Sequence, residues 1–253
     1  MYFYIYDEFL QEKKYKNALH RIENRLTDLE MKHRITRLSI LKNVKEMIED
    51  EIKKGVSTIV AVGDDSTVFK IINVLAHHPD VTLGIIPVGP NNNIAKILGI
   101  PAEEDACDIL SSRIIKKLDL GKINHHHFIS EVSIKGKGVA INTDNQFSIK
   151  PEPNAQVKIF NFNFRDPQAV TNPQDGVLEI FIEGKSPTFM KKMISAGESN
   201  DVSLFQFKDA EITTTTEPAT ITIDYNQTLK TPAHVSILPQ KLKVIVGKNR
   251  MFD

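Results

Sequence analysis

Apolar positions in the first half of the chain alternate between two periods. Tyr2 to Tyr6 reads as a short aromatic strand, and Tyr15, Leu19, Ile22, Leu26 and Leu29 then recur at spacings of four and three. That spacing places them on one face of an amphipathic helix. Leu41, Val44, Ile48 and Ile52 predict a second helix, with Gly55 placed to stop it. Val56 to Val62 is a continuous apolar, β-branched run, and Val68, Ile71, Ile72 and Leu75 restart the helical period. Val81 to Pro87 is the next strand, followed by a short helix from Ile94 to Leu98 that Gly99 ends. Fully apolar strands separated by helices predict a parallel sheet covered on both faces.

The pattern changes near Lys117. Most of the phenylalanines and prolines lie beyond Gly121, and strict alternation appears, as at Phe160, Phe162 and Phe164. Strands are predicted at Phe128–Ile134, Val177–Ile182, Val202–Phe207, Ala219–Tyr225, Ala233–Leu238 and Lys241–Val246, with one helix from about Pro187 to Ile194. The expected fold class is α/β, with a parallel-sheet domain at 1–116 followed by a β-sandwich domain at 117–253.

Composition narrows the partners. The 253 residues carry 32 basic and 32 acidic side chains, so no global field collects nucleic acid or an anionic membrane, and no nucleic-acid partner is expected. The single cysteine, Cys107, excludes an internal disulfide framework and fits a reducing, cytoplasmic setting. No apolar stretch approaches the roughly 20 residues that span a bilayer, so no transmembrane segment is expected. Lys13, Lys14 and Lys16 form a small basic cluster that would serve peripheral membrane contact or a solvated face. His125, His126 and His127 read as a strand edge, because neighbouring strand residues point to opposite faces. No metal ligand is assigned. Glu103, Glu104, Asp105 and Asp108 complement the positive end of a starting helix.

Two loops can carry chemistry. Val60-Ala-Val-Gly-Asp-Asp-Ser-Thr67 and Ile85-Ile-Pro-Val-Gly-Pro-Asn-Asn-Asn93 each lead from a buried strand into a helix. Open α/β sheets bind ligands beyond the carboxyl ends of their strands, where helix amides favour phosphate. Asp, Ser and Asn are equally good helix caps and turn formers, so either loop alone also has a purely structural reading.

In this order the two loops resemble the diacylglycerol kinase catalytic-domain family, lipid kinases related to sphingosine kinases and more distantly to NAD kinases. The family's Gly-Gly-Asp-Gly-Thr stands here as Gly63-Asp64-Asp65-Ser66-Thr67, and its Pro-Leu-Gly-Thr-Gly-Asn-Asp-Phe-Ala as Pro87-Val88-Gly89-Pro90-Asn91-Asn92-Asn93-Ile94-Ala95. Leu98-Gly99-Ile100-Pro101, Leu118-Asp119-Leu120-Gly121 and Asp175-Gly176-Val177-Leu178-Glu179 are similar to further family segments. The resemblance implies a nucleotide domain followed by a β-sandwich, ATP and Mg2+ as cofactors, and transfer of the γ-phosphoryl to a lipid hydroxyl in an interdomain cleft. It also implies a homodimer. Nucleotide contacts would fall on Gly63, Asp64, Asp65, Ser66, Thr67, Gly89, Asn91 and Asn92. Asp65 and Asp224 would be the catalytic acids, Asp224 as the base that takes the hydroxyl proton.

Four loop positions depart from the pattern. Asp64 and Ser66 replace glycines, and Pro90 and Asn91 replace a Thr-Gly pair. A carboxylate about 4 Å from a phosphate charge is opposed by up to about 4 kcal/mol at an effective dielectric of 20. Pro90 removes a backbone donor. In the late turn Ile223-Asp224-Tyr225-Asn226 an amide stands where the family has a glutamate, and an amide cannot act as general base. These departures support the alternative reading, an inactive nucleotide- or lipid-binding protein of the same fold.

Overall fold

The structure is a computed structural model that describes residues 1–31, 33–39, 43–144, 147–152, 155–163, 171–184, 201–224 and 227–252. Its internal contacts divide the chain into two units, Met1–Leu118 with Gln240–Asp253, and Asp119–Pro239.

The first unit follows the hydrophobic pattern closely. Strand β1 (Tyr2–Tyr6) leads through two 3₁₀ turns, Glu8–Gln11 and Lys13–Tyr15, into α1 (Lys16–Asp28), whose buried residues Leu19, Ile22 and Leu26 are those at the helical spacing. Strand β2 (His33–Arg37) and helix α2 (Val44–Lys53) follow. Asn43 caps α2 by accepting from the amides of Lys45 and Glu46, and Gly55, at φ +88°, ends it in the left-handed region that favours glycine. Then come β3 (Thr58–Gly63), α3 (Asp65–Leu75), β4 (Thr82–Pro87), α4 (Asn93–Ile97) and α5 (Asp105–Ser112).

Every residue of β3 and β4 is buried. This is why their sequences are continuous apolar runs: both strands are flanked by neighbours and covered on both faces. The parallel order is β2-β1-β3-β4. Leu41, expected on the face of α2, lies outside the described residues.

Among its described residues the second unit is all β. The chain enters it within β5 (Ile115–Ile123) and continues through β6 (His126–Phe128), β7 (Glu131–Lys135), β8 (Val139–Thr143), β9 (Phe147–Ile149) and β10 (Gln156–Phe160). It goes on through β11 (Leu178–Gly184), β12 (Asp201–Phe207), β13 (Asp209–Thr214), β14 (Thr220–Ile223), β15 (Gln227–Lys230) and β16 (Ala233–Ile245). One antiparallel sheet runs β12-β11-β10-β7-β14-β15, and β16, β13, β8 and β9 pair antiparallel in the other. Inward residues of both, among them Val132, Ile159, Ile180 and Ile221 from the first and Ile141, Ile212 and Val235 from the second, form one buried cluster. Fully burying each such side chain contributes about 1.5–3 kcal/mol.

Several expectations are corrected. The strand β2 lies between the two first helices, where none was predicted. The strands expected at Ala233–Leu238 and Lys241–Val246 are a single element, β16, continuous through Pro239. Its last residues, Lys243 and Val244, pair in parallel with Thr82 and Leu83 of β4. The chain therefore returns to the first unit for Gln240–Asp253, which the division into 1–116 and 117–253 does not include. Phe160 is not part of the sandwich core: with Phe181 it forms a separate edge-to-face pair at 6.0 Å. The helix expected near Pro187–Ile194, Phe164, and Tyr225 with Asn226 lie outside the described residues.

Candidate functional site

In the first unit the two motif loops are fastened to each other. Gly63 ends β3 at φ +154°, and a Cβ there would stand 2.3 Å from Oγ1 of Thr67, so the close approach of this turn to α3 requires glycine. Asp64 follows in an extended conformation, φ −99°, as the N-cap of α3. Its Oδ1 accepts from the Ser66 amide at 3.0 Å and the Ser66 hydroxyl at 2.7 Å. The amides of Thr67 and Val68 donate to the Asp64 carbonyl, and that of Asp65 donates to the Asn91 carbonyl at 2.7 Å.

Asp65 is the fastener between the loops. Oδ2 accepts from the amide and the side-chain nitrogen of Asn93, and Oδ1 accepts from the Ile94 amide at 3.1 Å. The carboxylate thus caps α4 from outside the helix, where negative charge meets unpaired amides. Burial pushes its pKa up, against the pull of those hydrogen bonds. Gly89 stands at φ +106° with the Phe9 ring 3.0 Å from where its Cβ would be. Asn92 donates to the Gly89 carbonyl at 2.7 Å.

Thr67 is fully buried and donates from Oγ1 to Oδ2 of Asp7 at 2.8 Å, and Lys70 reaches the same oxygen at 3.1 Å. Asp7, itself 5% exposed, is a site residue that sequence reasoning missed. The only signal for it is a carboxylate at the carboxyl end of an apolar strand, and its partners lie about sixty positions away in sequence.

This geometry tests the fit of ATP and Mg2+. The amides of residues 65 to 68, which would otherwise point at an anion, all have partners within the protein. Both carboxylate oxygens of Asp65 accept from the neighbouring loop, and Oδ1 of Asp64 is engaged by Ser66. Among the described residues no group of three or more His, Cys, Asp or Glu side chains is arranged to hold a metal. In this conformation the residues present do not fit a Mg2+-triphosphate at these loops.

In the second unit, Asp224 follows β14 at φ +44°, a region aspartate tolerates better than most side chains. It is 4% exposed, and its carboxylate accepts three backbone amides, Ile129, Ser130 and Glu131, each at 3.0 Å. Burial outweighs those donors and pushes the carboxyl up to about 7. Asp224 thus pins the turn after β14 to the entry of β7. Asp224 belongs to the second unit, and the loops at Gly63–Thr67 and Gly89–Asn93 to the first.

Three more polar groups of this unit are buried without having been predicted as site residues. Asp119 accepts from the Gly176 amide at 2.7 Å, and its carbonyl accepts from Asn161. Glu131 and Glu179 are 3% and 2% exposed, each with one carboxylate oxygen lacking a hydrogen-bond partner. Burial and the nearby Asp175 push Glu179 up to about 8.

Comparison with known proteins agrees with the resemblance read from the motifs. Residues 2–123 match the family model described as "Diacylglycerol kinase catalytic domain". A "Diacylglycerol kinase" of Bacillus subtilis (strain 168) is 39% identical over 77 residues, 28% of this chain and 25% of that protein. A "Probable lipid kinase YegS-like" of Pseudomonas aeruginosa is 30% identical over 89 residues, covering 35% of this chain and 30% of that protein. The matching segments thus span about a quarter to a third of these curated relatives. The crystal structure of a diacylglycerol kinase from Bacillus anthracis str. Sterne superposes with a TM-score of 0.79 over 98% of this chain and 97% of that one, at 21% identity, which establishes a shared fold. No helix among the described residues is long and apolar enough to cross a membrane.

Proposed function

We propose that this chain, whose residues 2–123 match the diacylglycerol kinase catalytic domain, keeps the lipid-kinase fold but does not transfer the γ-phosphoryl of ATP, and works instead by binding a lipid-type ligand. One observation carries the reading: Asp64 supplies from within the chain the negative charge that a bound phosphate would bring to the start of α3. A nucleotide would have to displace that carboxylate from Ser66 and then sit beside it. With an effective dielectric of 20, the repulsion reaches about 4 kcal/mol at about 4 Å, and the lost cap adds about 1 kcal/mol.

Two observations favour a second reading, an active kinase. Gly63 and Gly89 keep positive φ and Asp65 keeps the loops joined, as a ligand-binding pair of loops would need. Asp224, whose carboxyl burial pushes up to about 7, could exchange a proton near neutral pH, although its oxygens already accept three amides.

The deciding experiment titrates the full chain with ATP and Mg2+ and follows γ-phosphate transfer to diacylglycerols and sphingoid bases. The expected result is no transfer above a no-protein control. Transfer to any of these acceptors overturns the proposal and establishes the second reading.

A further inference from the structure

The first unit carries a groove that neither motif loop lines. Residues of α4, α5 and the chain after β16 surround about 550 Å3, within the size range of small-ligand sites. Ile100, Pro101, Ile109 and Ile114 give it apolar walls, and Lys96 and Lys248 are the basic side chains on it.

Backbone contacts fix those walls. After β16 the chain crosses the end of α4: the Gly247 amide donates to the Leu98 carbonyl at 2.9 Å and that of Met251 to the Ile97 carbonyl at 2.8 Å. The Val246 amide donates to the Ile114 carbonyl at 2.8 Å. A Cβ on Gly247 would overlap the Gly99 carbonyl, so the close crossing requires glycine. Lys248 and Asn249 are thereby anchored on both sides. The groove is preformed, which spares a ligand the cost of ordering it. Met251, 73% exposed, carries apolar surface beyond the walls.

Charge and donors select the ligand. Asp108, the acid among the lining residues, is paired with Arg25. Neither Lys96 nor Lys248 has an ion pair or side-chain hydrogen bond among the described residues, whereas Lys54, Lys70 and Lys243 each meet a carboxylate. Lys96, in the last turn of α4, suits the negative end of a helix. Lys248 lies outside any helix and has no such role. Two unbalanced cations beside apolar walls match an anion with an apolar body. A phosphate is best met by bidentate arginine or by free helix amides. Here the amides of Gly99 and Ile100 donate to the carbonyls of Lys96 and Ala95, and no arginine is among the described lining residues. Lysine, a flexible point charge, suits a single carboxylate.

We propose that this groove binds a long-chain carboxylate, its head at Lys96 and Lys248 and its chain along Ile100, Ile109 and Ile114. The assignment gives the lipid-binding part of the proposed function a ligand class and a place, and rests on that part alone; whether ATP binds does not enter.

The test titrates laurate calorimetrically into the full chain without nucleotide, below the concentration at which laurate forms micelles, with dodecanol and dodecyl phosphate as neutral and phosphate comparisons. Wild-type protein is expected to bind laurate more tightly than dodecyl phosphate and about tenfold more tightly than dodecanol, the scale of two partly exposed ion pairs. Lys96→Met/Lys248→Met keeps two long apolar side chains and is expected to bind laurate about tenfold more weakly, with dodecanol binding unchanged. Lys96→Arg/Lys248→Arg keeps both charges and should stay within about twofold of wild type. Ser112→Glu, which adds a negative charge at the exposed end of α5 on the groove, should weaken laurate and spare dodecanol. Circular dichroism and Tm check the folding of each variant. Laurate binding that survives unchanged in folded Lys96→Met/Lys248→Met or in Ser112→Glu, or a preference for dodecyl phosphate or dodecanol, overturns this assignment and leaves the lipid-binding reading standing. Wild-type protein that binds none of the three overturns both.

Discussion

Asp64 and Ser66, the two residues that replace glycines in the first motif, are bonded to each other: one carboxylate oxygen takes both the amide and the hydroxyl of Ser66, at 3.0 and 2.7 Å. The substitutions act as a pair. Together they turn a turn that would be open to an anion into a self-capped helix start. Asp64→Gly with Ser66→Gly should therefore strengthen ATP binding at least about tenfold, since both the repulsion and the competing cap disappear. Calorimetric titration of both proteins checks this, and equal affinities would refute the account of the loop. The same substitution should lower stability by up to about 1 kcal/mol, a few tenths from a glycine cap and about 0.5 kcal/mol from glycine in place of serine in the first turn of α3.

Asp65 should matter more to the fold than Asp64. Its carboxylate accepts three donors from Asn93 and Ile94 in a buried position. Asp65→Ala leaves the amides of Asn93 and Ile94 without acceptors and opens α4 to solvent. A loss of about 2–4 kcal/mol is expected, on the scale of buried hydrogen bonds to a charged group. Hydrogen exchange at Asn93 and Ile94 should accelerate to the rate of the exposed loop in this variant, with little change in β7.

Much of this site was legible in sequence because its parts are local. The apolar run into Gly63 and the helical spacing after Thr67 place a loop between strand and helix whatever the rest of the chain does. The direction in which Asp64 points is not local. As a charge in a phosphate loop it suggests repulsion, yet its extended backbone turns the carboxylate back onto its own helix. Strand β2 escaped because His33-Arg-Ile-Thr-Arg37 sits at the sheet edge, where polar residues are tolerated and the apolar signal fades. The return of Gln240–Asp253 to the first unit depends on pairing with Thr82 and Leu83, some 160 positions away. Alternation can announce a strand there but cannot name its neighbour.

Gly63 tests the tightness of the first loop. An added Cβ would meet Oγ1 of Thr67 at 2.3 Å and Cβ of Asp7 at 3.2 Å, and φ +154° is strained for any residue with a side chain. Thr67 cannot yield without breaking its 2.8 Å bond to the buried Asp7. Gly63→Ala should destabilise the first unit by about 1–3 kcal/mol. Thermal unfolding of Gly63→Ala in the wild-type and the Thr67→Ala backgrounds separates the causes. If the contact with Oγ1 dominates, Gly63→Ala costs much less once that oxygen is gone; if the positive φ dominates, the cost is the same in both backgrounds.

Asp224 gives a contrast between removing a charge and removing an acceptor. Asp224→Ala strands the buried amides of Ile129, Ser130 and Glu131, and a loss of about 3 kcal/mol or more follows from three unmet donors. Asp224→Asn keeps one carbonyl oxygen, which can serve the pair of donors now on Oδ1, and should cost less than half as much. Chemical denaturation of both variants measures the difference. Equal losses would mean that the negative charge, rather than the acceptor geometry, holds the turn.

Glu179 makes stability depend on pH in a direction opposite to most carboxylates. Its folded pKa, about 8, lies above the ordinary carboxylate value because burial and Asp175 disfavour the charged form. The folded state therefore holds a proton that the unfolded chain releases, and unfolding is linked to proton loss between the two values. The contribution is fully present below about pH 4, declines as pH rises, and is gone above about pH 8, with a slope of at most about 1.4 kcal/mol per pH unit from this group. Asp224, pushed up to about 7, adds a similar decline that ends one unit earlier. Because Glu179→Gln has no proton to lose, its stability should fall less steeply than that of wild type between pH 5 and 8, and the two curves should run parallel above pH 8. Denaturant unfolding across this range reads the slopes directly. Parallel curves throughout would show that Glu179 is already ionised in the folded protein, with a buried charge whose Oε2 has no hydrogen-bond partner.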